Sequence, residues 1–449
     1  MLLIRRLRAH AAPATRYDQC TRFRLASRGR FVVLGFASVS ECAASQERKS
    51  LMEGTGALKF AFFMMPLHLP TEAPALAFDR DLDLLQYAEQ LGYDEFFVGE
   101  HHTAAWENIP APDMFLAKAS GLTSVIKLGT AVVSAPFHHP FDLAERFAFL
   151  DHLSKGRVIL GLGPCGLPPD AKLFNIPATR LRPMLEESLD IIVKLLESPD
   201  PIDYEGKFWN LRGMAIQLRS YQQPRLKLAM ATSGSTGSID LAGKYGMMIF
   251  SPSAQAPPPA LPFREHYPRL KAAAEEHGYT VEREDTRIAT YIYLADTREQ
   301  AWADVEDSIQ RDVHDYFFTI NTRGGWEESP DQRSEDITPA FVAKRRRWII
   351  GTPDDAIEQL EALDKEVGGL GGVMLTTHEW VPHDKSRYSM ELFARYVIPH
   401  FRGHTADLKR EWKRTQDARE AGTIPVVMGR DLNDEFPAGG DQTNLHTNI

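Results

Sequence analysis

Glu95-Phe96-Phe97-Val98-Gly99-Glu100-His101-His102 changes character halfway along, from an apolar run to an acid and two imidazoles. A short apolar run between helical patterns reads as a strand buried on both faces, as in a parallel sheet. Its last side chains then emerge at the carboxyl rim, where α/β folds bind their ligands. Glu100 and the two histidines are therefore candidates for chemistry.

Outward from this stretch the same rhythm repeats. Lys59–Pro66 is an apolar strand closed by proline, and Leu82, Leu85, Ala88 and Leu91 recur at helical spacing until Gly92. Leu128–Ser134 and Arg157–Gly163 are further strands, with helices over 113–124, Phe141–Leu153 and 179–196. Tyr204–Leu218 reads as an inserted hairpin turning at Gly206 or Gly213. Strand signals return at 226–231, 246–250, 287–294 and 372–376. Eight strands alternating with helices predict a (β/α)8 TIM barrel with loop insertions on the active face, an open doubly wound sheet being the competing architecture. Residues 320–350, rich in Arg, Asp, Glu and Gly, lack a clean period and read as an excursion near that face.

Composition bounds the rest. The 449 residues are 43% hydrophobic and 25% charged, ordinary for a soluble enzyme. No apolar run reaches the ~18 residues of a membrane span. Three cysteines (Cys20, Cys42, Cys165) imply no disulfide framework and point to a reducing, cytoplasmic setting. The net charge of -10 is unevenly spread: residues 1–58 hold 10 Lys/Arg against 4 Asp/Glu, so the body is more acidic than the whole. An acidic body argues against a nucleic-acid partner. Residues 1–58 are read as an extension outside the fold, either a targeting segment or translation from a start upstream of Met52. The barrel is assigned to 59–402 and a polar tail to 403–449.

If the barrel holds, the strand ends collect polar groups at one rim: His68, Glu100–His102, Ser134–His139, Gly163–Gly166 with Asp170, Thr232–Thr236, Ser251 and Thr376–Glu379. The segment Thr232-Ser233-Gly234-Ser235-Thr236 is the best phosphate candidate, since its N–H groups open a helix whose dipole favours an anion. Plain helix capping by Ser or Thr is the competing reading. Gly161-x-Gly163 with Gly166 lacks the spacing of a dinucleotide fingerprint and instead lets backbone approach a flat ligand. Adjacent residues on a strand face opposite ways, so His101 and His102 do not readily share a metal ion, and none is assigned. His102 and His138 read as capping or hydrogen-bonded structural residues. Cys165 has no basic neighbour in sequence and reads as packing rather than nucleophile.

Three segments together resemble the bacterial luciferase-like flavin monooxygenases: Phe97–His102, Leu128–Pro140 and Leu150–Arg157. Gly161–Pro164 and Leu167–Ala171 are similar to the limonene-oxidising branch, and the likeness spans about 59–400. The resemblance implies a TIM barrel and a two-component monooxygenase. Such an enzyme takes reduced FMN from a separate reductase and inserts one oxygen atom of O2 into a small apolar substrate, a monoterpene such as limonene or a similar cyclic hydrocarbon or ketone. By the same resemblance His101 handles proton transfer near the flavin, with Glu100 and Asp170 orienting or polarising its partners. Ala131-Val132 matches a non-proline cis peptide under the flavin ring, and Gly163 lies on the adjoining strand. Ser233, Ser235 and Thr236 match the phosphate segment, and Ser251 a flavin contact. Homodimerisation through helices beside the second and third strands is likewise implied.

One departure concerns the phosphate. The luciferases have an arginine after the fourth strand, where this chain has Pro164-Cys165-Gly166, leaving backbone N–H groups to hold the anion. Two other functions fit the same family pattern: deazaflavin-dependent hydride transfer, and a non-catalytic flavin-binding partner subunit.

Overall fold

A computed structural model of the chain describes residues 58–423 apart from 321, 323, 324 and 330; the extension and the far tail lie outside the described residues. The strands are β1 (Lys59–Met64), β2 (Glu95–Val98), β3 (Lys127–Thr130), β4 (Val133–Ser134), β5 (Val158–Gly163), β6 (Ile202–Glu205), β7 (Asn210–Met214), β8 (Lys227–Ala231), β9 (Met248–Pro252), β10 (Thr286–Leu294), β11 (Ile349–Gly351) and β12 (Gly372–Thr377). β1, β2, β3 with β4, β5, β8, β9, β10 and β12 pair in parallel and close on themselves through β9–β10 and β12–β1. This is the eight-stranded (β/α)8 barrel expected from the sequence.

Alternation sorts each strand between two cores. Phe60, Phe62 and Met64 of β1 point outward, with Phe96 and Val98 of β2, into the layer beneath the helices. Ala61, Phe97, Ile159, Ala229, Met248, Phe250 and Met374 point inward and fill the barrel. Glu95 is also inward, at the amino end, where Arg287 of β10 meets it fork to fork at 2.8 and 2.6 Å. Both are almost fully buried, so the pair is mutually neutralised rather than hydrated.

The helices start where chain chemistry allows. Pro74, Pro112, Pro140 and Pro353 stand in first turns, where a missing N–H costs nothing. His139, Thr297, Thr338 and Thr352 accept a first-turn N–H. The helix over Pro74–Gln90 gives way at Gly92, whose φ of +82° suits glycine. The hairpin β6–β7 turns at Gly206, where a Cβ would lie 2.1 Å from Glu187 Oε1. That carboxylate collects the N–H groups of Lys207, Phe208 and Trp209. Gly213 sits within β7 instead.

The described residues of 320–350, read from the sequence as an excursion near the active face, carry more regular structure than their lack of a period suggests. Pro339–Arg346 is a helix and β11 extends the sheet beside β10. Trp326, Ile337, Val342, Trp348 and Ile350 are buried with Tyr316, Phe317 and Trp380 in a third cluster over the carboxyl end of β10. Beyond Gly403, Ala406–Glu420 is a helix without a buried residue, which leaves Leu408 and Trp412 exposed. No helix of the described residues is long and apolar enough to cross a membrane.

Candidate functional site

A cavity of about 500 Å³ opens at the carboxyl rim. Its walls are Phe63, Ala131, Val132, Phe250, Ala289 and Met374, and its far end is Thr232, Ser233, Ser238 and Arg182. The Ala131–Val132 peptide is cis. Behind it β5 presses so close that a Cβ on Gly161 would sit 1.9 Å from Thr130 O, and one on Gly163 2.5 Å from Val132. These two glycines admit the backbone bend that forms one flat wall.

His101 stands between two carboxylates. Nδ1 lies 2.9 Å from Asp170 Oδ2 and Nε2 3.2 Å from Glu107 Oε2. Asp170 also accepts from the His102 N–H and the Thr103 hydroxyl, and Glu107 from Tyr316 Oη at 2.5 Å. Burial lowers the His101 pKa, but the Glu107 charge and the Asp170 hydrogen bond outweigh it and raise it overall. Burial pushes Asp170 up, and its bonds to His101 and Thr103 bring it below the ordinary carboxylate value. Both ring nitrogens thus face acceptors, which favours an N–H on each.

Glu100 belongs to a separate hydrogen-bond cluster. Its Oε1 is shared by His102 Nε2 (2.7 Å) and His138 Nε2 (2.8 Å), and its Oε2 accepts the Ser134 N–H. Burial raises Glu100, while the two histidine bonds pull it below its usual range. One side-chain atom each of Glu100, His102 and His138 lies within 4.8 Å of the other two, joined by these hydrogen bonds. His139, not His138, caps the helix that follows. Burial drives the Cys165 thiol up to about 11, so it is a protonated wall residue rather than a nucleophile.

Of the cofactor candidates, Ala131, Val132, Ser233 and Ser251 line the cavity. Gly163 backs Val132, and the Ser251 hydroxyl turns to His266 Nδ1 at 3.3 Å. Ser235 caps the helix over Thr236–Lys244 and, with Thr236, faces solvent at the polar end. Arg182 was not legible in the sequence. It reaches from the helix over Ala178–Glu197 to Ser238 Oγ (2.8 Å) and Gly237 O (3.0 Å). A guanidinium therefore stands where Pro164-Cys165-Gly166 supplies none. Glu107 and Tyr316 were also unforeseen: Glu107 stands in a loop, and Tyr316 in a π-helical turn that continues the helix over Arg298–Arg311.

The residues fit a flavin: a flat apolar wall, a cavity of suitable size and a cation beside a helix N-terminus. A family model described as luciferase-like monooxygenase matches residues 58–369. The chain is 35% identical over 351 residues to 4-hydroxyprotoasukamycin monooxygenase of Streptomyces nodosus subsp. asukaensis, covering 77% of this chain and 93% of that one. It is 34% identical over 386 residues to limonene 1,2-monooxygenase of Rhodococcus erythropolis, covering 85% and 97%. The FMN-bound oxygenating constituent of 3,6-diketocamphane monooxygenase from Pseudomonas putida superposes with a TM-score of 0.64 at 23% identity, over 76% of this chain and 98% of that one. The barrel, the rim cavity with its cis peptide, and these matches together place the chain in the luciferase-like monooxygenase family.

Proposed function

We propose that the chain is the oxygenating component of a two-component system, taking reduced FMN from a separate flavin reductase and using O2 to oxygenate a small, largely apolar organic molecule. A monoterpene such as limonene, or a similar cyclic hydrocarbon or ketone, suits the cavity. The observation that carries this reading is the rim cavity itself, apolar and flat along one side, with Arg182 and a helix start at one end. Bound reduced flavin supplies the oxygen-activating chemistry.

The protein's share is placement and proton control. Phe63, Val132, Phe250 and Met374 would hold the ring system and exclude water. Ser233, Ser235, Thr236 and Arg182 would hold the phosphate. His101 holds a proton at Nε2 toward Glu107 while Asp170 fixes the ring through Nδ1. Glu100 keeps His102 and His138 in place. Met114, Phe149 and Leu153 are exposed on the two helices beside β2 and β3, which supports a homodimer through that face.

The test is oxygen consumption with photoreduced FMN, with and without monoterpenes, cyclic ketones and long-chain aldehydes. A product sixteen mass units heavier and labelled from ¹⁸O2 supports the reading. Flavin reoxidation to hydrogen peroxide alone under every condition, with tight deazaflavin binding, overturns it in favour of hydride transfer. Phe149→Asp in sedimentation runs tests the dimer face.

A further inference from the structure

Glu107 is almost fully buried, and it lies outside every segment that carries the family likeness. The loop after β2 brings it inward. Ala104 and Ala105 take left-handed backbone, at φ of +67° and +60°, a conformation alanine seldom adopts. The Trp106 N–H closes on Ala104 O at 2.7 Å, the His68 N–H holds Trp106 O at 2.8 Å, and Glu107 bridges to Leu67. The turn so formed returns the chain to the ring of His101.

There Glu107 uses both oxygens. Oε2 lies 3.2 Å from His101 Nε2, and Oε1 accepts the Tyr316 hydroxyl at 2.5 Å. Burial and the Glu107 charge push that hydroxyl up, so Tyr316 keeps its hydrogen and gives it to the carboxylate. Trp106 packs on the Tyr316 ring, centroids 5.5 Å apart, and closes the cluster on that side. Asp170 stands at the other nitrogen of His101, 2.9 Å from Nδ1. Glu100 also faces the ring with its charge, but its oxygens are taken by His102, His138 and the Ser134 N–H. Among the described residues no Lys or Arg forms an ion pair with Glu107 or Asp170, which leaves the imidazole to balance both.

A histidine that passes a proton to a ligand needs one nitrogen turned toward it. Both nitrogens of His101 are spent on buried carboxylates. We infer that Glu107, held by Tyr316, is the positioning residue that keeps the His101 ring doubly protonated at neutral pH, so that His101 meets the reaction as a held positive charge with no N–H left to give. The cluster lies behind the cavity wall: Cys165 and Gly166 line the cavity, and the Asp170 charge reaches the Cys165 thiol and helps to push it up. The inference rests on the monooxygenase reading for what the charge serves, but not for the charge itself.

The experiment follows the His101 ring of flavin-free, ¹⁵N-histidine-labelled protein by NMR across pH, its signals identified by their loss in His101→Gln. Wild type should titrate above pH 6.5 and show both ring N–H protons at neutral pH, shielded from exchange by their carboxylates. Glu107→Gln keeps the shape and removes the charge, and should move the midpoint down by about one pH unit or more. Glu107→Asp keeps the charge and should restore most of that change. The alkaline limb of ¹⁸O-labelled product formation should follow the midpoint from variant to variant. A neutral His101 ring in wild type at pH 7, a midpoint unmoved in Glu107→Gln, or a limb that does not follow it overturns the inference. A midpoint that moves as expected, with no ¹⁸O-labelled product under any condition, would sink the monooxygenase reading alone.

Discussion

Replacing Arg182 with Met should separate FMN from riboflavin. The guanidinium is fixed by Ser238 Oγ at 2.8 Å, Gly237 O at 3.0 Å and Glu186 Oε1 at 2.7 Å, so it is held beside the start of the Thr236–Lys244 helix. A hydrogen bond to a charged group contributes about 1.5–3 kcal/mol. The Arg182 side chain is 35% exposed and Glu186 already neutralises part of its charge, so screening trims this to about 1–2 kcal/mol. FMN affinity should therefore fall about 5- to 30-fold, and riboflavin affinity should not move. Flavin fluorescence quenching, titrated with both ligands at low and high salt, reads this directly. Wild type should lose FMN affinity with salt more steeply than the variant. Parallel losses for FMN and riboflavin would show that Arg182 merely supports the helix. An unchanged FMN affinity would place the phosphate elsewhere. Arg182→Lys keeps the charge without the fork that spans Ser238 and Gly237, and should fall between the two.

Three further outcomes follow from other parts of the molecule. The His101 pKa is raised above its ordinary 6.5, so its stabilisation is complete below about pH 6.5 and fades as pH rises through the folded value. Asp170 and Glu100 are lowered from 3.8 and 4.5, so their contributions hold above those values and fade as pH falls through the folded ones. Melting temperature should thus crest between about pH 5 and 6.5, and His101→Gln should flatten the alkaline side; an unchanged alkaline limb would refute the assignment. Arg287→Met strands the buried Glu95 carboxylate and should cost about 3–5 kcal/mol in urea unfolding, with Glu95→Gln recovering part of it; additive losses would contradict a coupled pair. Gly161→Ala forces a Cβ to 1.9 Å from Thr130 O and should cost about 2–4 kcal/mol or prevent folding, whereas Gly166→Ala, with nothing within 4 Å, should be nearly neutral.

The eight barrel strands were legible because each is a brief apolar run that must be buried on both faces, with glycine or proline marking its ends. Ile349–Gly351 was not, since only Trp348, Ile349 and Ile350 are apolar and Arg345, Arg346 and Arg347 stand before them. The last turn of a helix tolerates those cations, which is what they form, yet in a sequence they read as a solvated loop. The site divided the same way. His101 and Asp170 carried a family pattern on either side of one strand pair. Arg182 meets Ser238 across 56 residues, and Tyr316 meets Glu107 across 209, and no local pattern encodes such distances. Glu100 was legible as a buried acid at the strand end, but only the fold shows that its partners are His102 and His138.

Two of the rim imidazoles, His101 and His378, are hydrogen-bonded differently, and this distinguishes what each can do. His101 has a carboxylate at both nitrogens, so a proton on each is satisfied and loss of either leaves a ring lone pair facing a carboxylate. That arrangement retains charge and suits a group that steadies a developing anion nearby. His378 has a carboxylate at Nδ1 and a phenol at Nε2, and a phenol can give or take the shared hydrogen. With Nδ1 donating to Asp312, Nε2 accepts the Tyr291 hydrogen, and Met65 Sδ lies 3.0 Å from the same nitrogen. One rim imidazole is thus held between two carboxylates, the other between a carboxylate and a phenol. Under the proposed function, removal of Asp170 should therefore lower turnover by loosening His101, while removal of Asp312 should loosen His378 and leave FMN affinity unchanged.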